Sequence, residues 1–131
     1  MYTDIANFHE KFGLEHDGKF KKLDQSISQF RINFMQEELD EYIESTKSGN
    51  LEGQLDAIID LVYVALGTAY MQGVTEEAWQ KMWDEVQRAN MSKVRAIDNN
   101  DPRSKRKNSV DIVKPAGWVG PDFSLIIKEH S

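Results

Sequence analysis

The residues most able to do chemistry in this chain are acidic and fall in two groups. The first is the run Glu37-Glu38-Leu39-Asp40-Glu41, and the second is the pair Asp56 and Asp60. On a helix turning about 100° per residue, Ile27, Phe30 and Phe34 form one core-facing stripe, and Glu38 and Glu41 continue it, so the line toward the core turns acidic. Glu37 lies on the flank of that face, whereas Asp40 and Glu44 point further toward solvent. In the second group the surroundings are apolar: Leu55, Ala57, Ile58, Ile59, Leu61, Val62, Val64, Ala65 and Leu66 leave almost no polar face. That pattern predicts a helix buried nearly all round, with one exceptional stripe of Asp56, Asp60, Tyr63 and Gly67. Asp56 and Asp60 stack one turn apart and repel each other, and burying even one unpaired carboxylate costs several kcal/mol.

Something must compensate, and the two segments offer only Arg31 and Lys47 as cations. Divalent ions answer the need, since Mg²⁺ prefers hard oxygen ligands and is commonly held by a few carboxylates together with substrate phosphates. Two ions in such a cluster can position a phosphate and activate a water. Taken alone, an acidic run on a surface helix is ordinarily a solvated face. Asp56 has a competing role as an early-helix residue favoured by the dipole, so Asp60 is the more telling aspartate.

The elements that must position these groups are helices. Apolar residues recur at helical spacing with few β-branched alternations, and the chain has 131 residues, room for a single domain spanning 1–131. The fold class expected is all-α: a four-to-five-helix bundle with core helices over about 3–94 and an irregular C-terminal tail over 95–131. Helices are predicted at about Thr3 to Phe12, Asp24 to Ser48, Leu51 to Met71, and from a Thr75 cap to about Val94. Gly13, Gly49-Asn50 and Gly73 stop the first three. Past Arg95, Asn99-Asn-Asp-Pro and the basic run Arg103 to Lys107 read as an exposed, solvated loop. The tail, with Pro115, Gly117, Gly120 and Pro121, is expected to wrap the helices without forming another.

The net charge of -6 argues against a protein that neutralises the phosphates of a nucleic acid. With no cysteine, disulfides and thiolate metal sites are excluded. Met1 to Glu10 lacks the pattern of a secretory signal. The apolar stretch Leu55 to Ala69 is shorter than the ~20 residues of a membrane span and carries Asp56 and Asp60. A cytoplasmic protein without a membrane segment is expected.

Three motifs in order, Glu37-Glu-Leu-Asp-Glu41, Asp56-Ala-Ile-Ile-Asp60-Leu-Val-Tyr and Asn90-Met-Ser-Lys93, resemble the all-α nucleoside triphosphate pyrophosphohydrolases. This is the superfamily of MazG, dimeric dUTPases and phosphoribosyl-ATP pyrophosphohydrolase. The likeness covers about residues 1 to 123 and is greatest to small phage-type MazG-like proteins, whose Lys-Pro-x-Gly-Trp tail is here Lys114-Pro-Ala-Gly-Trp118. One departure is Ala57, where many members carry a glutamate three residues before the aspartate; Asp56 then substitutes from one position earlier.

The resemblance implies Mg²⁺-dependent cleavage between the α and β phosphates of a (deoxy)nucleoside triphosphate, with Mn²⁺ able to substitute. Glu38, Glu41, Asp56 and Asp60 match the family's metal ligands, with Glu37 as a further ligand or outer group. A glutamate of the first motif would take the proton of the attacking water. Asn90 and Lys93 match phosphate contacts, although Lys93 also suits a helix C-terminus; Lys114 is a weaker candidate. Asn7, Phe8 and Phe12 are the candidates for holding a nucleobase, the two phenylalanines having a core role as the alternative. A homodimer or homotetramer is expected, with Trp79, Met82, Trp83 and Val86 supplying apolar surface for pairing or for the intrachain core. A dUTPase-like specificity, phosphoribosyl-ATP hydrolysis and a non-catalytic acidic helical module that docks a basic partner are the rival readings.

Overall fold

A computed structural model describes residues 1–131, and the chain is all-α with five helices and one two-stranded ladder. It divides into two compact units, one of Met1–Glu76 with His130–Ser131, the other of Glu77–Glu129.

In the first unit α1 spans Tyr2–Lys11, α2 Gln25–Lys47 and α3 Leu51–Met71. The side chain of Asp24 caps α2 by accepting from the Ile27 N–H at 2.8 Å, and Asn50 caps α3 by accepting from Gly53 at 3.0 Å. Between them Gly49 takes φ 68°, the left-handed turn that lets α3 fold back along α2. Two cross-links fix the register of this antiparallel pair. Near the turn Gln54 donates to Thr46 Oγ1 at 3.0 Å, and at the far end Arg31 donates to Thr68 Oγ1 at 3.0 Å and to the Val64 carbonyl at 2.9 Å. That register sets Glu38 and Glu41 opposite the Asp56–Asp60 turn of α3. Tyr2, Ile5, Ala57, Val64, Leu66, Tyr70 and Val74 form the core of the unit.

The structure corrects two expectations here. The α3 helix is not buried nearly all round: Leu51, Leu55, Ile58, Ile59 and Val62 are between 40% and 66% exposed. Only α2 and α1 pack on it, and two neighbours cannot cover every face of one helix. On α2 the stripe of Ile27, Phe30 and Phe34 is not a buried line either, since Phe30 is exposed and the two others are half-buried, while Arg31 and Glu38 are the buried residues of that helix. The full 21-residue length of α3 does meet the length and apolarity of a membrane-crossing helix. Against a span stand the two aspartates, Asp56 and Asp60, along that helix.

The second unit holds α4 beyond its first residue, the ladder and α5. Helix α4 runs Glu76–Met91, ending short of Val94 because Val94–Arg95 (β1) pairs antiparallel with Ile112–Val113 (β2). A β-branched pair in a ladder overrides the helical pattern here. The tail returns to α4, with Trp118 Nε1 donating to the Ala89 carbonyl at 2.7 Å and the Asp122 N–H donating to Glu85 Oε1 at 3.2 Å. Contrary to expectation, it then forms a short helix, α5 (Ser124–Glu129). The basic loop is also more than a solvated surface, because it folds around two carboxylates. Asp101 is buried and accepts from the Ile97 and Arg103 N–H groups and from both sides of the Arg103 fork. The fully buried Ser104 donates to Asp111 at 2.8 Å, and Arg106 donates to Asp111 from the outside.

Candidate metal centre

Glu38 and Glu41, one helical turn apart on α2, meet Asp60 of α3, and one carboxylate oxygen from each lies within 4.8 Å of the others. Glu38 is only 8% exposed, Asp60 is half-buried and Glu41 is open to solvent. The Oε2 atom of Glu38 is buried without a hydrogen-bond partner. Orphaned buried carboxylate oxygens are rare in folded proteins, because water-to-interior transfer without a partner is costly.

The electrostatics agree. Burial, then the hydrogen bond and charge of Glu41, then the charges of Asp60 and Glu37, push the Glu38 carboxyl up to about 7. Burial also raises Asp60, helped by Asp56 and Glu41. No positive side chain relieves them: none of the four matched acids takes part in an ion pair, and the one buried cation of the hairpin, Arg31, spends its donors on Val64 and Thr68. An acidic cluster with an unsatisfied buried oxygen and no cation fits a hard divalent ion, and the all-oxygen donor set favours Mg²⁺ or Mn²⁺ over softer metals.

Asp56 is exposed and stands outside the three-residue cluster, although its charge reaches Asp60. It lines a cavity of about 410 Å³ beside the hairpin turn with Glu41, Glu44, Ser45, Ser48, Asn50 and Gly53. Glu44 thus shares an acidic groove with Glu41 and Asp56, which helical projection of α2 alone missed. Glu37 is exposed beside the cluster and is not one of its members.

Of the nucleobase candidates, Phe8 and Phe12 stay substantially exposed, at 42% and 57%, so neither is a simple core residue. Their rings lie 4.9 Å apart, and Phe8 meets Tyr63 of α3 edge-on at 5.5 Å. Tyr63 sits one turn beyond Asp60, so the aromatic patch and the acidic cluster share a face of α3. Asn7 is exposed. His9, to which the sequence assigned no role, is buried, bonded through Nδ1 to the Ile5 carbonyl at 2.8 Å and stacked on Tyr70 at 4.5 Å. Gly67 permits this, since a Cβ there would meet Arg31 Nη2 at 2.9 Å and His9 Cε1 at 3.3 Å.

Asn90, Lys93 and Lys114 belong to the second unit. Asn90 and Lys114 are exposed and Lys93 is half-buried. The ammonium groups of Lys93 and Lys114 both lie over the Trp118 ring, 5.1 and 5.0 Å from its centroid.

The family model of phosphoribosyl-ATP pyrophosphohydrolase matches residues 5–90, well over half of the 131-residue chain. The matched residues include α2, α3 and the whole acidic cluster. The chain belongs to this family, within the all-α superfamily that also contains MazG. The family carries a nucleotide pyrophosphohydrolase type of activity, and its members usually use a divalent metal. No curated protein matches the chain.

Proposed function

We propose that the chain is a nucleoside triphosphate pyrophosphohydrolase, cleaving between the α and β phosphates to release a (deoxy)nucleoside monophosphate and pyrophosphate. The observation that carries the reading is the buried Glu38, which has an orphaned Oε2 and clusters with Glu41 and Asp60. Glu38, Glu41 and Asp60 would hold Mg²⁺, or Mn²⁺ in its place, and Asp56 would join from the edge of the groove. The ion supplies Lewis-acid stabilisation of the charge that develops on phosphate oxygens. Glu37 is the glutamate of the motif outside the cluster, and it would take the proton of the attacking water.

The exposed edges of Phe8, Phe12 and Tyr63, with the Asn7 amide, stack and read a base. Asn90, Lys93 and Lys114 contact phosphate oxygens. The uncovered apolar face of α3 supports a homodimer or homotetramer, because exposed apolar residues in such number mark an interface. A cytoplasmic setting follows from the substrate class.

The family match favours a second reading, phosphoribosyl-ATP as substrate, which differs only in what is attached to the base. One panel separates them: the common NTPs and dNTPs, dUTP and phosphoribosyl-ATP, each with Mg²⁺ or Mn²⁺ and scored for pyrophosphate release. Activity on a triphosphate that disappears in Glu38→Gln and Asp60→Asn, with the fold retained, supports the proposal. No hydrolysis of any nucleotide leaves the acidic face as a binding module.

A further inference from the structure

Arg31 is the counterpart of Glu38 with the sign reversed. It is 9% exposed, and none of the ion pairs in the chain includes it. Its Nε donates to Thr68 Oγ1 and its Nη2 to the Val64 carbonyl, both neutral acceptors, while Nη1 makes no hydrogen bond. Burial pulls the guanidinium below its ordinary pKa, and no neighbouring charge acts the other way. The Phe30 and Phe34 rings, with centroids 5.7 and 5.4 Å from Cζ, temper the charge without neutralising it. A buried cation that lacks an anion is costly, just as a buried carboxylate is without a cation.

Arg31 also lines a cavity of about 420 Å³ in the first unit, with Lys22 as a second cation, Leu23, Ile32 and Met35 as apolar wall, and no Asp or Glu. We propose that this cavity binds a small monocarboxylate carried on an apolar body, its carboxylate seated between Arg31 and Lys22. The site does not rest on the activity proposed above. It shares no residue with the cluster of Glu38, Glu41 and Asp60, and Glu38 lies about 10 Å further along α2.

The class of ligand follows from the donors left over. Among the other polar residues of the lining, Ser28 Oγ donates to the Leu23 carbonyl, Thr68 Oγ1 to the Val64 carbonyl and the Gln72 amide to the Lys21 carbonyl. What remains is Nη1 of Arg31 and the ammonium of Lys22, which makes no ion pair. The two oxygens of a carboxylate match these two groups. A phosphate monoester would bring a third oxygen and a second charge beside Leu23, Ile32 and Met35, where no donor is left to receive them. The same three side chains suit an apolar body.

The test is calorimetry on the full-length protein in EDTA, titrated with hexanoate, hexanol and hexyl phosphate. Hexanoate should bind with a Kd of about 1 mM or tighter, an ordinary affinity for so few atoms. Hexanol and hexyl phosphate should each bind at least tenfold more weakly. Lys22→Glu, at an exposed residue outside every ion pair, should weaken hexanoate about tenfold, the scale of one charge-assisted contact. Arg31→Gln should abolish binding; should that variant fail to fold, Ile32→Asp, at a 54% exposed position of the wall, serves in its place with a loss of at least tenfold. Glu38→Gln should leave the affinity unchanged, and a loss there would put hexanoate at the acidic cluster and overturn the site. Absence of hexanoate binding overturns it, as does hexanol or hexyl phosphate binding as tightly as hexanoate. Hexanoate binding that survives Lys22→Glu combined with Ile32→Asp overturns it too.

Discussion

Replacing Glu38 with glutamine should stabilise the metal-free protein at alkaline pH, although it removes the proposed centre of the site. The folded-state value of this carboxyl lies at about 7, against 4.5 for an unperturbed glutamate. A group raised in the folded state contributes stability below the unfolded value and loses it as pH climbs through the folded one. The metal-free wild type should therefore be most stable near pH 5 and weaken toward pH 8, and raised Asp60 acts in the same direction. At about 1.4 kcal/mol per pH unit, the Glu38 displacement corresponds to a penalty of about 3 kcal/mol. Glu41 bonds the same carboxyl and contributes its charge, so part of the penalty belongs to the pair, and about 2 kcal/mol should be recovered by Glu38→Gln alone. For a chain of this size that is a rise of roughly 7 °C in Tm. Thermal melts in EDTA at pH 5 and pH 8 measure it. A variant no more stable than wild type at pH 8, or a metal-free wild type that gains stability between pH 5 and 8, would refute the reasoning.

Other outcomes follow from the same geometry. Asp60→Asn should lower kcat by at least about a hundredfold with the circular dichroism spectrum unchanged, the scale of losing a group that stabilises a transition state; steady-state pyrophosphate release checks it. Phe8→Ala should raise KM several-fold with kcat little changed, since a half-exposed ring that stacks a base contributes about 1 kcal/mol or more. Gly67→Ala should cost about 1 to 3 kcal/mol in urea unfolding, because the new methyl meets Arg31 and His9. Ile59→Glu, placed where α3 is 66% exposed, should convert an oligomer to monomers in light scattering. An unchanged mass would remove that face from the interface.

The hairpin that builds the site was legible because its signals are local. Asp24 and Asn50 cap as their residue types dictate, Gly49 supplies the turn, and the predicted span of α3 matches the observed Leu51–Met71. Placing Glu38 and Asp60 together needed only that hairpin and a helical projection. The extent of burial was not legible. An all-apolar helix states how much cover it wants, and only the packed chain shows that α1 and α2 leave Leu55, Ile58 and Ile59 bare. Asp56 illustrates the same limit: a four-residue spacing puts it on the face of Asp60, but its position one turn nearer the hairpin end leaves it exposed beside Glu44. The loop from Asp98 to Asp111 escaped the reading because its order comes from side chains bonding backbone a few residues away. Such contacts leave no periodic trace, and a basic run looks alike whether solvated or pinned by a buried aspartate.

Manganese binding measured by electron paramagnetic resonance, with wild type beside Glu38→Gln and Asp60→Asn, tests the central claim most directly. The wild type should take up the ion at neutral pH, and each variant should lose at least tenfold in affinity while remaining folded. Equal uptake by all three proteins, or none by the wild type, would contradict a metal centre at Glu38, Glu41 and Asp60.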